Sequence, residues 1–210
     1  MNESFILGIP TTKAHRESHE MTWIEIIAPA DADPRLAKIY QRSAGDGQVD
    51  RILLAHSLRP HTLEGHMALY RAVLHHPRNT LNRAFAEAIG VLVSRVNCCG
   101  YCVDHHLAGM RRALADPDRA EAWTRALEDG PRDEVFDTRQ RAALAYAEQL
   151  ALAPAEISES TISLLRKSGW NDGEILEINQ ITAYFCYANR TVLGLGVTTE
   201  GEELGEHPDQ

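Results

Sequence analysis

Two apolar stripes at helical spacing, separated by a proline, constrain this chain more than any other feature. Leu63, Met67, Tyr70 and Leu74 recur at intervals of four, three and four, and Leu81, Phe85, Ile89, Leu92 and Val96 repeat the pattern further on. Between them, HHPRNT stops the first helix at His76, because the Pro77 ring clashes with the turn before it. Downstream, Asp137 with Gln140 and Asn171 with Glu174 pair a capping side chain with an acceptor three residues on, which starts a helix. Ile175, Ile178, Thr182 and Phe185 then form a further buried stripe. Gly130-Pro131 and Ser168-Gly169 are the stops. WIEIIAPADADP, from Trp23, reads as a short extended piece limited by Pro29 and Pro34, and nothing alternates convincingly as a strand. The expectation is an all-α bundle of roughly seven or eight helices. A single domain, 23–198, would lie between a flexible N-terminal arm, 1–22, and a flexible charged tail, 199–210.

Composition removes several function classes. The 210 residues are 44% hydrophobic and 24% charged, enough for one well-buried core. A formal charge of −9, with no cluster of Lys or Arg, argues against a nucleic-acid partner. No apolar run approaches the roughly 20 residues that cross a bilayer. The first 22 residues lack the basic start, apolar middle and cleavage site of a secretory leader, which points to the cytoplasm. Thiols in that compartment stay reduced unless a catalytic cycle oxidises them, so closely spaced cysteines there read as redox-active or metal-binding.

Such cysteines occur in NCCGYCVDHH, Asn97 to His106, which holds three of the four cysteines and two of the ten histidines. Asn97 and Gly100 are poor helix-interior residues, and CVDHHLAGMRRAL after them is helical, so the thiols fall in the first turn of a helix. Aligned peptide dipoles at that end favour negative charge and lower a thiol pKa. At about 100° per residue, Cys102 lies roughly 60° and His106 roughly 20° from Cys99, whereas His105 points about 120° away. A histidine at i+4 from Cys102 is placed to take a thiol proton, and a cysteine three residues away is close enough for a disulfide once its neighbour is oxidised. If the chain reverses near Asn97, Glu87 and His106 stand level on antiparallel helices. Glu87, an acid in the apolar stretch FAEAIGVL, then finds in His106 the partner that its burial demands.

The order Glu87, eleven residues, Cys99, two residues, Cys102, three residues, His106 resembles the signature of the alkylhydroperoxidase AhpD-like family, within the carboxymuconolactone decarboxylase superfamily. The flanking SLRPHTLEGHMALYRAVL and LLRKSGWNDGEILEINQITAYFCYANRTVLGLGV resemble its longer peroxidase-related branch, so the likeness runs from about Trp23 to Val197. The resemblance implies an all-helical fold, a homo-oligomer (dimer, trimer or hexamer) and thiol-dependent reduction of hydroperoxides with no cofactor and no metal. It implies Cys102 as the attacking thiol, Cys99 as the more exposed resolving thiol, His106 as the proton acceptor and Glu87 as the end of the proton relay. An external dithiol, a lipoyl protein or a thioredoxin-like protein, would then reduce the disulfide. One position departs: where the founding member has a histidine between the cysteines, this chain has Tyr101.

Other readings compete at the same residues. Cys99, Cys102, His106 and Glu87 are a conceivable tetrahedral zinc set, although three of the four come from barely two helical turns. Glu87 and His106 alone would serve as acid and base on a small organic acid, as in the lactone decarboxylases of the superfamily, and a non-enzymatic redox-sensing scaffold needs neither activity. Cys98 and Cys186 read as small buried apolar groups. His105 reads as a solvated or interface histidine, and His56, His61, His66, His75 and His76 as surface or packing residues, with His66 able to approach the site. Asn189-Arg190 reads as a closure of the bundle or a subunit contact.

Overall fold

A computed structural model describes residues 21–44, 48–202 and 204. Among these the regular structure is helical: α1 (Pro34–Ala44), α2 (Arg51–Leu54), α3 (Pro60–Tyr70), α4 (Arg83–Val96), α5 (Gly100–Leu114), α6 (Pro117–Glu128), α7 (Thr138–Leu152), α8 (Glu159–Lys167) and α9 (Asp172–Leu195). No helix of the described residues is long and apolar enough to cross a membrane. Asp137 and Asn171 cap α7 and α9 in reciprocal boxes with Gln140 and Glu174, and Asn82 caps α4 by accepting from the Phe85 amide. The helix that Pro77 ends does not stop cleanly. Past Tyr70 it widens into a π-helical segment, Arg71–His75, before His76 turns extended.

Helix α4 is the axis of the bundle. From Ala84 to Ser94 every residue is buried, and α5, α6, α7 and α9 all pack against it. A helix apolar all round belongs in the interior, so the stripe from Leu81 to Val96 understated its burial. The N-terminal arm lies outside the described residues up to position 20, but at its end the Thr22 hydroxyl donates to the Leu195 carbonyl and Thr22 is buried. The tail is held rather than loose as far as Glu202. The Arg51 guanidinium donates to the Thr198 carbonyl and hydroxyl at 3.0 Å and to the Glu200 carbonyl, and the Arg51 amide donates to a Glu202 carboxylate oxygen at 2.8 Å.

Close packing of α9 on α4 depends on Gly90. A Cβ there would lie 2.2 Å from the Phe185 ring, and Phe185 is fully buried. Gly90→Ala should therefore lower stability by about 1–3 kcal/mol, the cost of forcing an extra carbon into a filled core, read from its urea midpoint against the native chain.

Candidate functional site

The turn between α4 and α5 builds the site. Cys98 adopts a left-handed backbone, φ 57°, which folds the chain back so that Cys99 becomes the N-cap of α5. The antiparallel pairing that results sets Glu87 against His106, with the carboxylate 2.6 Å from the imidazole Nδ1. Gly109 makes room for this, since a Cβ there would meet the Glu87 carboxyl carbon at 3.1 Å. Glu87 is 2% exposed, and its second oxygen accepts from Arg83 Nε at 2.9 Å. Burial pushes this carboxyl up, but the His106 and Arg83 charges and hydrogen bonds outweigh it and hold the pKa at about 2. The carboxylate is thus an acceptor only, so Nδ1 of His106 donates to it and Nε2 is the ring nitrogen left to exchange a proton. Phe185 meets the His106 ring edge to face at 4.5 Å and fixes its tilt.

Both thiols of the pair are free and buried, Cys99 at 0% and Cys102 at 3% exposure. They are hydrogen-bonded to each other, and the Asn189 side chain supports both. The bond from Cys102 lowers the Cys99 thiol against the opposing effect of burial, helped by the Cys102 amide and Asn189. The same bond, burial and the charge on Cys99 raise Cys102 well above a free thiol. One negative charge is therefore easy for the pair and a second is hard. Lowering by the helix end was expected for both cysteines, but the second thiol cannot share in it while its neighbour holds the charge.

A cavity of about 360 Å³ opens onto one of the two sulfurs. Cys102 and His106 line it, with Tyr70, Met67 and Tyr184 among its walls, whereas Cys99 does not reach it. Its size is that of a small-molecule site. The expectation that Cys99 is the more exposed thiol is thus reversed, because Ala55, Val192 and Val197 cover it in a small apolar cluster at the end of α9. Among the described residues, no three His, Cys, Asp or Glu side chains are grouped as metal ligands.

Several residues fall elsewhere than the sequence suggested. Cys98 is exposed, since its left-handed backbone turns the side chain out of the bundle, and Cys186 is only half-buried, beside Asn97. His105 is buried, its ring 4.5 Å from that of Tyr101 and its Nε2 3.5 Å from a Glu202 oxygen. His56 and His66 are packing residues as expected, buried with rings 4.9 Å apart, and His66 does approach the site, lining the cavity together with His75 and His76. Asn189 is fully buried, donating to Ser94 at 3.0 Å and accepting from Asn97 at 3.0 Å, so it closes the bundle by tying α9 to the thiol turn. Arg83 was missed, although an Arg four residues before a buried Glu is a visible signal. In the native protein a maleimide should label Cys98 first, and Cys98→Ser should leave the remaining thiols slow to react, as read by intact mass over time.

The sequence of residues 60–149, α3 to α7, matches the carboxymuconolactone decarboxylase family. No protein of curated function matches the chain. In fold it is similar to an uncharacterized peroxidase-related protein from Silicibacter sp. TM1040, with a TM-score of 0.71, 29% identity, and 85% of this chain and 92% of that one covered. A peroxidase-related protein with an alkylhydroperoxidase AhpD core, from Ralstonia eutropha JMP134, is similar at a TM-score of 0.71 and 26% identity over the same shares, 85% and 92%. The debrominase Bmp8, in a complex with 2,3,4-tribromopyrrole, shares the fold at a TM-score of 0.68 and 18% identity, over 86% of this chain and 94% of its own. The fold therefore carries more than one chemistry. With the family match spanning all four motif residues, the chain has an all-α AhpD-like fold whose α3 to α7 segment is similar to the carboxymuconolactone decarboxylase family.

Proposed function

We infer that this protein is a thiol peroxidase that reduces hydroperoxides through Cys102 and Cys99. The observation that carries the reading is the division of labour around one cavity: Cys102 and His106 face it, while Cys99 waits behind, hydrogen-bonded to its partner. His106 takes the first proton of the pair; the resting charge lies on Cys99, and transfer of the Cys102 proton to Cys99 along the shared hydrogen bond moves that charge to the sulfur that substrate reaches. That thiolate attacks a peroxide oxygen, the O–O bond breaks, and the products are a Cys102 sulfenic acid and, after protonation, an alcohol or water. The Cys99 thiol then condenses with the sulfenic acid, releasing water and forming a disulfide. An external dithiol returns both to thiols. The Glu87 carboxylate stabilises the imidazolium that forms in the first step.

Decarboxylation of a small organic acid finds less support. Such a substrate asks for cations, and of the described residues lining the cavity only Arg71 has a guanidinium, which donates to the Arg42 carbonyl. In the direct test, the native chain is supplied with dithiothreitol and tert-butyl hydroperoxide. Peroxide loss matched one-to-one by dithiol oxidation is expected; a chain inert to peroxide that decarboxylates a lactone acid would overturn the reading.

A further inference from the structure

The relay from Glu87 to His106 provides a base, but breaking a peroxide bond also produces a strongly basic alkoxide, which needs an acid. A second titratable group lies on the cavity wall, built from segments far apart in sequence. Asp50, Tyr101 and His105 line the same cavity as Cys102. The Tyr101 hydroxyl donates to Glu202 at 3.1 Å and accepts from the Ile52 amide at 3.3 Å. The other Glu202 oxygen is 3.5 Å from His105 Nε2, and the Glu202 side chain is only 5% exposed. Arg51 and the Thr199–Asp104 hydrogen bond hold the tail that delivers Glu202 into this position. Asp50 lies within electrostatic reach of His105, Glu202 and the two tyrosines, Tyr70 and Tyr101.

We propose that Asp50 is the acid that protonates the oxygen leaving from the hydroperoxide, and that Glu202, His105 and Tyr101 are its positioning residues. The inference rests on the peroxidase reading above. As the Cys102 thiolate forms its bond to one peroxide oxygen and the O–O pair departs on the other, the Asp50 proton moves to that oxygen. The alcohol leaves, Asp50 is left as carboxylate, and water restores its proton. Burial, opposed by His105 and reinforced by the Glu202 charge, raises the Asp50 pKa to about 7, so a large share of the carboxyl holds its proton at neutral pH. The sign follows: Asp50 is a donor below about pH 7 and a bare carboxylate above it.

The test is single-turnover oxidation of the reduced protein by two oxidants that differ in leaving group: tert-butyl hydroperoxide, which expels a basic alkoxide, and peracetic acid, which expels a carboxylate and needs no acid. In Asp50→Asn, measured at one pH below the ionisation of the peracid, the hydroperoxide rate should fall about 10²-fold, while the peracid rate changes little. The native chain should lose hydroperoxide rate above about pH 7, Asp50→Asn should lack that limb, and Asp50→Glu should restore part of the rate and the limb. Equal loss with both oxidants means a structural role, and no loss with either puts the acid elsewhere; each overturns the assignment. Should Asp50→Asn fail to fold, the native profile and Asp50→Glu decide, an unchanged profile at alkaline pH being the contrary result. A native chain inert to both oxidants overturns the peroxidase reading itself, and this inference with it.

Discussion

Replacing Cys102 with serine is expected to reduce dithiol-dependent peroxide consumption by about 10³-fold or more, since it removes the nucleophile and leaves only the surroundings. Cys99→Ser is expected to behave differently. It should still react once, giving one sulfenic acid per chain that dimedone traps on Cys102, and then stall because no thiol remains to condense with it. The asymmetry comes from access. Cys102 lines the cavity, whereas Cys99 is sealed beneath Val192 and Val197, even though the hydrogen bond favours placing the resting charge on Cys99. If Cys102→Ser kept the first turnover and Cys99→Ser lost it, the roles would be exchanged and the cavity would not be the path of the oxidant.

Glu87→Gln should produce the second largest effect, on rate and stability together. The carboxylate accepts from His106 at 2.6 Å and from Arg83 at 2.9 Å with almost no exposure, so a neutral amide must present an NH2 group to one of two donors. A loss of about 2 kcal/mol is expected in urea unfolding at neutral pH, the worth of a buried hydrogen bond to a charged group. A rate decrease of about 10²-fold should accompany it, because the imidazolium formed during turnover loses its counter-charge. The pH dependence has a definite sign. Glu87 ionises near pH 4.5 when unfolded and at about 2 when folded, so its contribution is complete above pH 4.5 and is lost as pH falls toward about 2. The stability gap between native and variant should therefore narrow across that interval; a gap independent of pH there would mean that Glu87 is not held as a carboxylate.

The parts of this molecule that were legible in its sequence are those governed by local rules. Capping at Asp137 and Asn171, the stop at Pro77 and the buried stripe of α9 depend on neighbours within one or two turns. Even the Glu87–His106 pair, nineteen residues apart, follows from one reversal near Asn97 and the rise of two helices. Groups brought in from a distance were not legible. Asn189 reaches the thiol turn across more than ninety residues, and Glu202 meets Tyr101 across 101. Asp50 and Glu202 sit in irregular segments, where no periodicity announces which way a side chain faces. Cys98 was misread for another reason: composition favours burial for a cysteine, but its backbone conformation, set by the need to reverse the chain, points it outward.

If the two buried thiols act as one redox unit, mass spectrometry of the reduced native protein after one equivalent of tert-butyl hydroperoxide will show it. Loss of two hydrogens is expected, confined to the peptide carrying Cys99 and Cys102 and reversed by dithiothreitol, with Cys98 and Cys186 still free. An unchanged mass, or oxidation settling on Cys98 while the pair stays reduced, would contradict that pairing.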